Sequence, residues 1–186
     1  MRVITGKARG IQLKTPQGML TRPTADRVKE ALFSIIRFDV ANARVLDLFG
    51  GTGQMGIEAL SRGAAHCTFL DLRKEAVGVI RENLKRTGFA KDAAVVQGDY
   101  LAFLTRCKEK FDLIFLDPPY AAGLLGPALE EIARFDICRE HGIIVAESAL
   151  ETALPALAPP YTLYREYRYG KIKLTVYHRG GNEETI

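Results

Sequence analysis

An acid, two prolines and a tyrosine occupy residues 117–120, directly after the short aliphatic run at residues 111–116. Such a run predicts a strand that is buried on both faces of a parallel sheet. Pro118 and Pro119 cannot donate hydrogen bonds to a sheet ladder, so the chain must leave the sheet there in a stiff loop. Ligands of open α/β sheets bind beyond the carboxyl ends of the strands, and we therefore expect Asp117 and Tyr120 to face a ligand.

A second candidate site is the glycine loop Gly51-x-Gly53-x-x-Gly56, which follows the predicted strand at residues 45–49. It matches the dinucleotide-binding GxGxxG pattern in form. However, Asp47 lies inside the strand, four residues before Gly51, where its carboxylate would repel a pyrophosphate. The same carboxylate suits a cationic ligand, and D-x-x-x-G-x-G is the glycine loop of enzymes that bind S-adenosylmethionine. We therefore expect Asp47 to orient the methionine end of that cofactor, beside the backbone of Gly51 and Gly53.

Two further acids follow the next two predicted strands. Asp71 ends the second strand and is expected to accept hydrogen bonds from both ribose hydroxyls, a role that nicotinamide enzymes also use. Asp99 closes the third strand, where it could accept from the adenine amino group or could instead cap the helix that follows. Leu101 or Tyr100 could pack on the adenine ring. The residues predicted to contact the cofactor are Asp47, Phe49, Gly51, Thr52, Gly53, Asp71, Leu72, Asp99, Tyr100 and Asp117.

The DPPY segment, taken together with DLFGGTG, resembles the amino-methyltransferases, which act on exocyclic nitrogens of bases or on amide nitrogens. The resemblance implies that the Asp117 carboxylate and the Pro118 carbonyl hold the two hydrogens of an amine and aim its lone pair at the methyl group. Tyr120 would stack on the base, which must be turned out of its own stack. The implied catalytic residues are Asp117, Pro118, Pro119 and Tyr120, with no metal.

Five segments in one order carry a closer resemblance: RVITGKARGIQLKTP, TRPTADRVKEALF, VLDLFGGTG, GIEALSRGA and FDLIFLDPPY. Together they are similar to the RsmD family of bacterial 16S rRNA guanine-N2 methyltransferases and cover nearly the whole chain. The resemblance implies methyl transfer from S-adenosyl-L-methionine to one guanine amine, with S-adenosyl-L-homocysteine as the product. The implied partner is 16S rRNA or an assembling small ribosomal subunit, and residues 21–24 would border the cofactor and the RNA entrance.

Basic side chains are concentrated in residues 1–29, which hold seven of them against one acid, although the whole chain has a formal net charge of only +4. This concentration is typical of a segment that contacts nucleic-acid phosphates, and a solvated basic face is the alternative. We expect residues 1–20 to form a basic hairpin extension that stays outside the cofactor site, and residues 21–186 to form the methyltransferase domain. The residues predicted to contact RNA are Lys7, Arg9, Lys14, Arg22, Thr24 and Arg27.

The elements that must position these residues alternate between strand and helix from Arg44 onward. Short aliphatic runs predict strands at residues 45–49, 67–72, 94–97, 111–116 and 142–146. Helical spacing predicts helices at residues 55–62, 74–87, 101–108 and 125–135. An earlier helix follows Pro23, with Thr24 as its N-cap.

Two hairpins complete the predicted fold, one around Gly6 to Gly10 and one around Gly170 at the sheet edge. Strands interleaved with helices predict a parallel sheet that is covered on both faces. We therefore expect an α/β, Rossmann-like class I methyltransferase fold: a mostly parallel seven-stranded sheet with an antiparallel C-terminal hairpin, helices on both faces and a small N-terminal β-hairpin.

The composition is that of a globular protein, with 186 residues of which 47% are hydrophobic and 26% are charged. No apolar stretch approaches the roughly 18 residues of a membrane span, and the N-terminus lacks the apolar block of a signal peptide. We expect a cytoplasmic monomer that contacts no membrane. The three cysteines are widely separated and show no metal-ligand spacing.

Three other functions fit the sequence less well. An adenine-N6 DNA methyltransferase shares the acid-proline-proline-aromatic segment but normally needs an added target-recognition segment, for which this chain has no room. A non-catalytic nucleic-acid-binding relative is expected to have lost Asp117 or the loop glycines, and both are present. A nicotinamide oxidoreductase is opposed by Asp47.

Overall fold

The computed structural model describes residues 1–15, 23–119 and 122–181, and of residues 23–25 the backbone alone. These residues contain five α-helices and seven strands. The helices are α1 (Pro23–Ile35), α2 (Gln54–Ser61), α3 (Lys74–Thr87), α4 (Tyr100–Arg106) and α5 (Leu125–Arg134). The strands are β1 (Arg44–Asp47), β2 (His66–Asp71), β3 (Ala93–Gln97), β4 (Phe111–Leu116), β5 (Cys138–Ala149), β6 (Tyr161–Tyr169) and β7 (Ile172–Arg179).

The strands form one sheet in the order β3-β2-β1-β4-β5-β7-β6. Strands β1 to β5 pair in parallel, whereas β7 is antiparallel to both β5 and β6. The chain moves from β1 outward to β3 on one side and returns to β4 on the other, which makes a topological switch point between β1 and β4. The predicted mostly parallel seven-stranded sheet with an antiparallel C-terminal hairpin is confirmed.

Both faces of the sheet are buried because successive side chains of a strand point to opposite faces. On one face, Val45 and Phe115 pack in a core shared with α1, α2, α3 and residues 1–15. On the other face, Leu46 and Ile114 pack in a core shared with α4 and α5. The cores hold the strand ends rigidly, and the site is built on those ends.

Most predicted elements are present with small shifts of their ends, and α3 and β4 have the predicted bounds. Strand β5 is longer than predicted, so Glu147 lies inside it. Helix α1 begins at Pro23, which places Thr24 inside the first turn, and the prediction that Thr24 caps the helix is wrong. Proline suits the first helical position because the N–H that it lacks would have no partner there.

Residues 1–15 fold back along α2, and one antiparallel bridge, between Arg2 and Gln12, joins the two limbs of this segment. Backbone hydrogen bonds flank this bridge, so the predicted N-terminal hairpin is present but short. Val3, Ala8 and Leu13 are buried in the core beneath it. The domain boundary predicted at residue 20 lies outside the described residues.

The buried carboxylate of Glu58 in α2 holds this segment in place. It accepts hydrogen bonds from the backbone N–H of Ile4 at 2.8 Å and of Thr5 at 3.0 Å. It also pairs with Arg62 Nε at 2.8 Å and with the buried Lys29 Nζ at 3.6 Å. Burial lowers the pKa of Lys29, an effect that the charge of Glu58 opposes. Buried charges need such partners, so Lys29 belongs to the core and cannot serve a solvent-exposed RNA surface.

Helix α2 approaches the sheet closely at Gly56, where an added Cβ would lie 2.3 Å from the Phe69 ring and 2.5 Å from Cys67 Sγ. We expect Gly56→Ala to lower the free energy of unfolding by about 1–3 kcal/mol, because the helix must move away from the sheet. Gly78→Ala is the matched control, since Gly78 lies in α3 with no atom within 4 Å of an added Cβ. That change should raise the free energy of unfolding by roughly 0.5–1 kcal/mol. Urea unfolding measures both, and effects of the same sign would contradict the packing argument.

Candidate active site

A cavity of about 960 Å³ opens at the carboxyl edge of the sheet, at the switch point between β1 and β4. Nine of the ten residues predicted to contact the cofactor line its wall: Asp47, Phe49, Gly51, Thr52, Asp71, Leu72, Asp99, Tyr100 and Asp117. Pro118 and Pro119 line the wall as well. Tyr120 and Arg22 lie outside the described residues. The structure therefore places the glycine loop and the Asp-Pro-Pro segment in a single cavity.

Four neighbouring strands carry an acid at this edge, and all four acids lie on the same face of the sheet. In the order β2, β1, β4 and β5 they are Asp71, Asp47, Asp117 and Glu147. Asp47 is in register with Phe69 of β2 and Phe115 of β4. Asp71 comes two residues after Phe69, and Asp117 comes two residues after Phe115. Asp47 therefore lies two residues further from the carboxyl edge of the sheet than either of these acids. This depth explains why only 1% of the Asp47 residue is exposed.

Asp117 and Glu147 are direct neighbours across β4 and β5. Leu116 is in register with Ala146, so the next residue of each strand is an acid, at a backbone spacing of about 4.8 Å. Burial raises the pKa of Asp117 well above its usual value, and the charges of Glu147 and then Asp47 raise it further. A hydrogen-bond donor or a cation placed against this pair would relieve their repulsion.

Asp47 is the deepest acid of the cavity. Burial raises its pKa to about 7; the backbone N–H of Gly56 opposes the shift and the charge of Asp71 adds to it. That N–H belongs to the first turn of α2 and donates to Asp47 Oδ2 at 3.1 Å. Asp71, Asp99, Asp117 and Glu147 lie nearby, and Arg73 and Lys171 are the only basic residues in the described part of the wall, so this part of the cavity favours a cationic ligand.

Gly51 and Gly53, the first two glycines of the GxGxxG pattern, have different roles. Gly51 has a φ of +56°, and an added Cβ would approach only the Phe49 carbonyl, at 3.9 Å, so its backbone faces open space in the cavity. Gly53 does not line the cavity, which corrects its predicted position. It has a φ of +79° at the N-cap of α2, and an added Cβ would lie 3.3 Å from Ile57 and 3.4 Å from Ile80. Gly53 thus allows the chain to turn into α2, on the side of the loop that packs against the core.

Asp71 orders the glycine loop. Its carboxylate accepts from the backbone N–H of Gly51 at 2.9 Å and of Arg73 at 2.9 Å, and lies 3.3 Å from the Arg73 guanidinium. A carboxylate has about four lone-pair sites, and the exposed Arg73 guanidinium takes two of them through long hydrogen bonds of 3.3 and 3.4 Å, which a ligand hydroxyl could replace. Asp99 caps α4 by accepting from the Ala102 N–H at 3.0 Å, the alternative that the sequence had left open, and it also lines the cavity.

Several residues of the wall had not been predicted, including Met1, Thr15, Glu147 and Lys171. The expectation that residues 1–20 stay outside the site is therefore wrong. Buried Asn83 of α3 explains why. Its side chain bonds the backbone N–H of Lys14 at 2.7 Å, the Lys14 carbonyl at 2.9 Å and the Thr52 carbonyl at 2.9 Å, which fixes the N-terminal segment to the glycine loop.

The residues predicted to contact RNA are spread over the surface. Lys7, Arg9 and Arg27 are exposed, and Lys14 forms a 2.7 Å ion pair with Glu82. The backbone N–H of Lys7 donates to the Ser61 carbonyl at the far end of α2. Lys7 and Arg9 therefore lie roughly 12 Å from the cavity, the length of an eight-residue helix. Of Thr24 only the backbone, within α1, is described.

Comparisons with known proteins place the chain in a family. Residues 1–178 match the family model described as Conserved hypothetical protein 95. The Ribosomal RNA small subunit methyltransferase D of Escherichia coli (strain K12) is 32% identical over 185 residues, which covers 100% of this chain and 93% of that protein. The chain belongs to the RsmD family. Its relative YlbH of Bacillus subtilis (strain 168) is 39% identical over 184 residues, covering 97% of this chain and 100% of YlbH.

Solved structures of relatives share the whole fold. The structure of yhhF from Escherichia coli has a TM-score of 0.87 at 33% identity and covers 98% of this chain and 99% of its own. The methylase HI0767 of Haemophilus influenzae has a TM-score of 0.82 at 30% identity, covering 97% and 98%. These neighbours confirm the predicted class I methyltransferase fold. The structure of SMU.776, which contains SAH, is similar in fold, with a TM-score of 0.66 at 18% identity.

Within residues 1–15, 23–119 and 122–181, every helix is too short or too polar to span a membrane. In the same part of the chain, no three or more His, Cys, Asp and Glu side chains are grouped so that they could hold a metal ion.

The raised pKa of Asp47 predicts a pH-dependent stability. Folding raises this pKa from 3.8 to about 7, so the native state binds the proton more tightly and stability falls as the pH rises through this range. Between pH 5 and pH 8, the free energy of unfolding of the parent protein should fall by about 2–3 kcal/mol more than that of Asp47→Asn. Urea unfolding at both pH values measures this difference. Asp92→Asn, at an exposed loop position, is the control and should behave as the parent protein does. A parent-like pH profile for Asp47→Asn would refute the assignment.

Proposed function

We propose that this protein transfers a methyl group from S-adenosylmethionine to the exocyclic N2 amine of a guanine in small-subunit rRNA. One observation carries the proposal: the glycine loop with Asp47 and the strand end at Asp117 to Pro119 line one cavity. Family membership supports rRNA as the substrate, because the Escherichia coli relative is named as a small-subunit rRNA methyltransferase. The chemistry of this strand end suits an exocyclic amine, and the choice of the guanine N2 amine is inferred from the family resemblance.

The half of the cavity over β1, β2 and β3 suits S-adenosylmethionine. Asp47 would face the positively charged methionine end, and Asp71 would accept from the ribose hydroxyls beside the open backbone of Gly51. Leu72 is 66% exposed, which is unusual for a leucine and offers an apolar surface to a flat adenine ring. The Phe49 and Tyr100 rings, with centroids 5.4 Å apart, provide a further aromatic surface. The donor set and the charge therefore fit this cofactor.

The half of the cavity over β4 and β5 suits the amine. S-adenosylmethionine supplies a methyl group bonded to a positively charged sulfur. Asp117 and the Pro118 carbonyl accept the two amine hydrogens and direct the nitrogen lone pair toward that methyl group. As the C–N bond forms and the C–S bond breaks, the positive charge passes to the nitrogen, and Asp117 can accept the proton that the nitrogen then loses. Its raised pKa makes it a better base for this step. The stacking role of Tyr120 stays a prediction.

Replacing Asp117 tests the chemistry. We expect Asp117→Ala to slow single-turnover methyl transfer to small subunits or 16S rRNA by about 10² or more, because orientation and charge stabilisation are lost together. Asp117→Asn keeps one acceptor oxygen and should retain measurable activity. Calorimetry with S-adenosylhomocysteine should show that both variants still bind the cofactor product. Transfer by Asp117→Ala at the parental rate would rule out the acceptor mechanism.

The exposed basic residues of the N-terminal segment are expected to contact RNA phosphates. Replacing Lys7 and Arg9 together by alanine should weaken RNA binding and reduce its salt dependence, because each phosphate contact releases counterions. S-adenosylhomocysteine affinity should stay unchanged. Lys91→Ala with Lys108→Ala is the matched control, since both lysines are exposed but lie outside this segment. The comparison is made by filter binding across salt concentrations, and an unchanged salt slope for the Lys7 and Arg9 variant would count against the proposal.

A further inference from the structure

Guanine differs from the other amine-bearing bases in the group beside its amine. In guanine, the N2 amine is next to N1–H, a hydrogen-bond donor. In adenine and cytosine, the exocyclic amine is next to a ring nitrogen that carries a lone pair. Asp117 and Pro118 accept only the amine hydrogens, so they cannot distinguish these bases. Selection of guanine needs a second acceptor beside Asp117.

In the described part of the cavity wall, one side chain is an acceptor of this kind. Glu147 is next to Asp117 across β4 and β5, points from the same face of the sheet and lines the same cavity. Its backbone is fixed on both sides, because β5 pairs with β4 on one side and with β7 on the other, where Glu147 is in register with Leu174. A side chain on a central, doubly paired strand is held more precisely than one on a loop.

The other acids of the cavity lie over its other half. Asp47 and Asp71 contact the glycine loop and α2 at the ends of β1 and β2, and Asp99 caps α4 after β3. Glu147 lies on the opposite side of Asp117 from all three, over β5. It is therefore the acid of the described wall that faces the half assigned to the target base.

We propose that Glu147 accepts the N1–H of the target guanine while Asp117 accepts from its amine, and that Glu147 is thereby the residue that selects guanine. The inference rests on the function proposed above. A carboxylate against N1–H gains a charge-assisted hydrogen bond, whereas against the lone pair of adenine or cytosine it meets repulsion and stays unpaired. Sites built around such a donor reject analogues that lack it by large factors.

The test uses small subunits reconstituted with rRNA that carries either guanine or 2-aminopurine at the methylated position. 2-Aminopurine keeps the 2-amine but has a lone pair at N1. We expect the parent protein to methylate 2-aminopurine at least about 100-fold more slowly than guanine. In Glu147→Gln the rate on guanine should fall. The ratio of the guanine rate to the 2-aminopurine rate should fall to about tenfold or less, because the glutamine amide can donate to the N1 lone pair of 2-aminopurine.

The comparison between variants isolates residue 147. Loss of the guanine O6 in 2-aminopurine slows the parent and the variant alike, so only the change in preference reports on Glu147. Glu151→Gln is the matched control: Glu151 is exposed just beyond β5 and should keep the parental preference. S-adenosylhomocysteine affinity, measured by calorimetry, should be the same in all of these proteins and shows that each is folded.

Two results would overturn the proposal: a parental preference for guanine in Glu147→Gln, or equal parental rates on the two bases. If Glu147→Gln does not bind S-adenosylhomocysteine, Glu147→Asp replaces it. That variant keeps a carboxylate but withdraws it, so its rate should fall while guanine stays preferred, and a loss of preference would overturn the proposal. A parent protein that methylates neither base, or only adenines, would instead contradict the proposed function.

Discussion

Parallel pairing of β2, β1, β4 and β5 brings four carboxylates to one edge of the sheet, and the site depends on the repulsion among them. The strand spacing of about 4.8 Å leaves them little room to separate, and the core beneath prevents water from screening the deepest one. Burial and the neighbouring charges therefore disfavour ionisation of Asp47 and Asp117, whose pKa values are both raised. A ligand that brings a positive charge and hydrogen-bond donors would offset this cost.

Two buried polar side chains connect the rest of the molecule to that edge. Asn83 ties α3 to the glycine loop and to the N-terminal segment, and Glu58 ties α2 to the same segment and to α1. Through them, residues 1–15 become part of the wall of the cavity although their composition is that of a solvated basic arm. An RNA that binds this segment would contact residues that are joined by hydrogen bonds to the glycine loop. Binding of RNA and binding of the cofactor could therefore be coupled through these bonds.

The sheet and the acids at strand ends could be predicted because both follow from local patterns. An aliphatic run followed by an acid locates the carboxyl edge, and proline after Asp117 makes the end of β4 unambiguous. The same signal was present at Glu147, directly after the run at residues 142–146, but the missing proline concealed it, and the strand continues beyond it. The role of Asn83 had no local signal, because its partners are separated from it by 31 and 69 residues. Gly53 matches the GxGxxG pattern as Gly51 does, and only the three-dimensional structure shows that it faces the core side chains of Ile57 and Ile80.

The N-terminal segment has a consequence for the order in which the chain acquires structure. Its hydrogen bonds to Glu58 span 54 and 53 residues, and the bond from Lys14 to Asn83 spans 69. Contacts of such long separation form late, because the loop must be closed before they contribute. During synthesis, this segment is made before α2 and α3 and has no partner until they have followed it. A basic segment that is made well before its partners passes through a stage in which it is unpaired, next to the RNA of the ribosome that is making it.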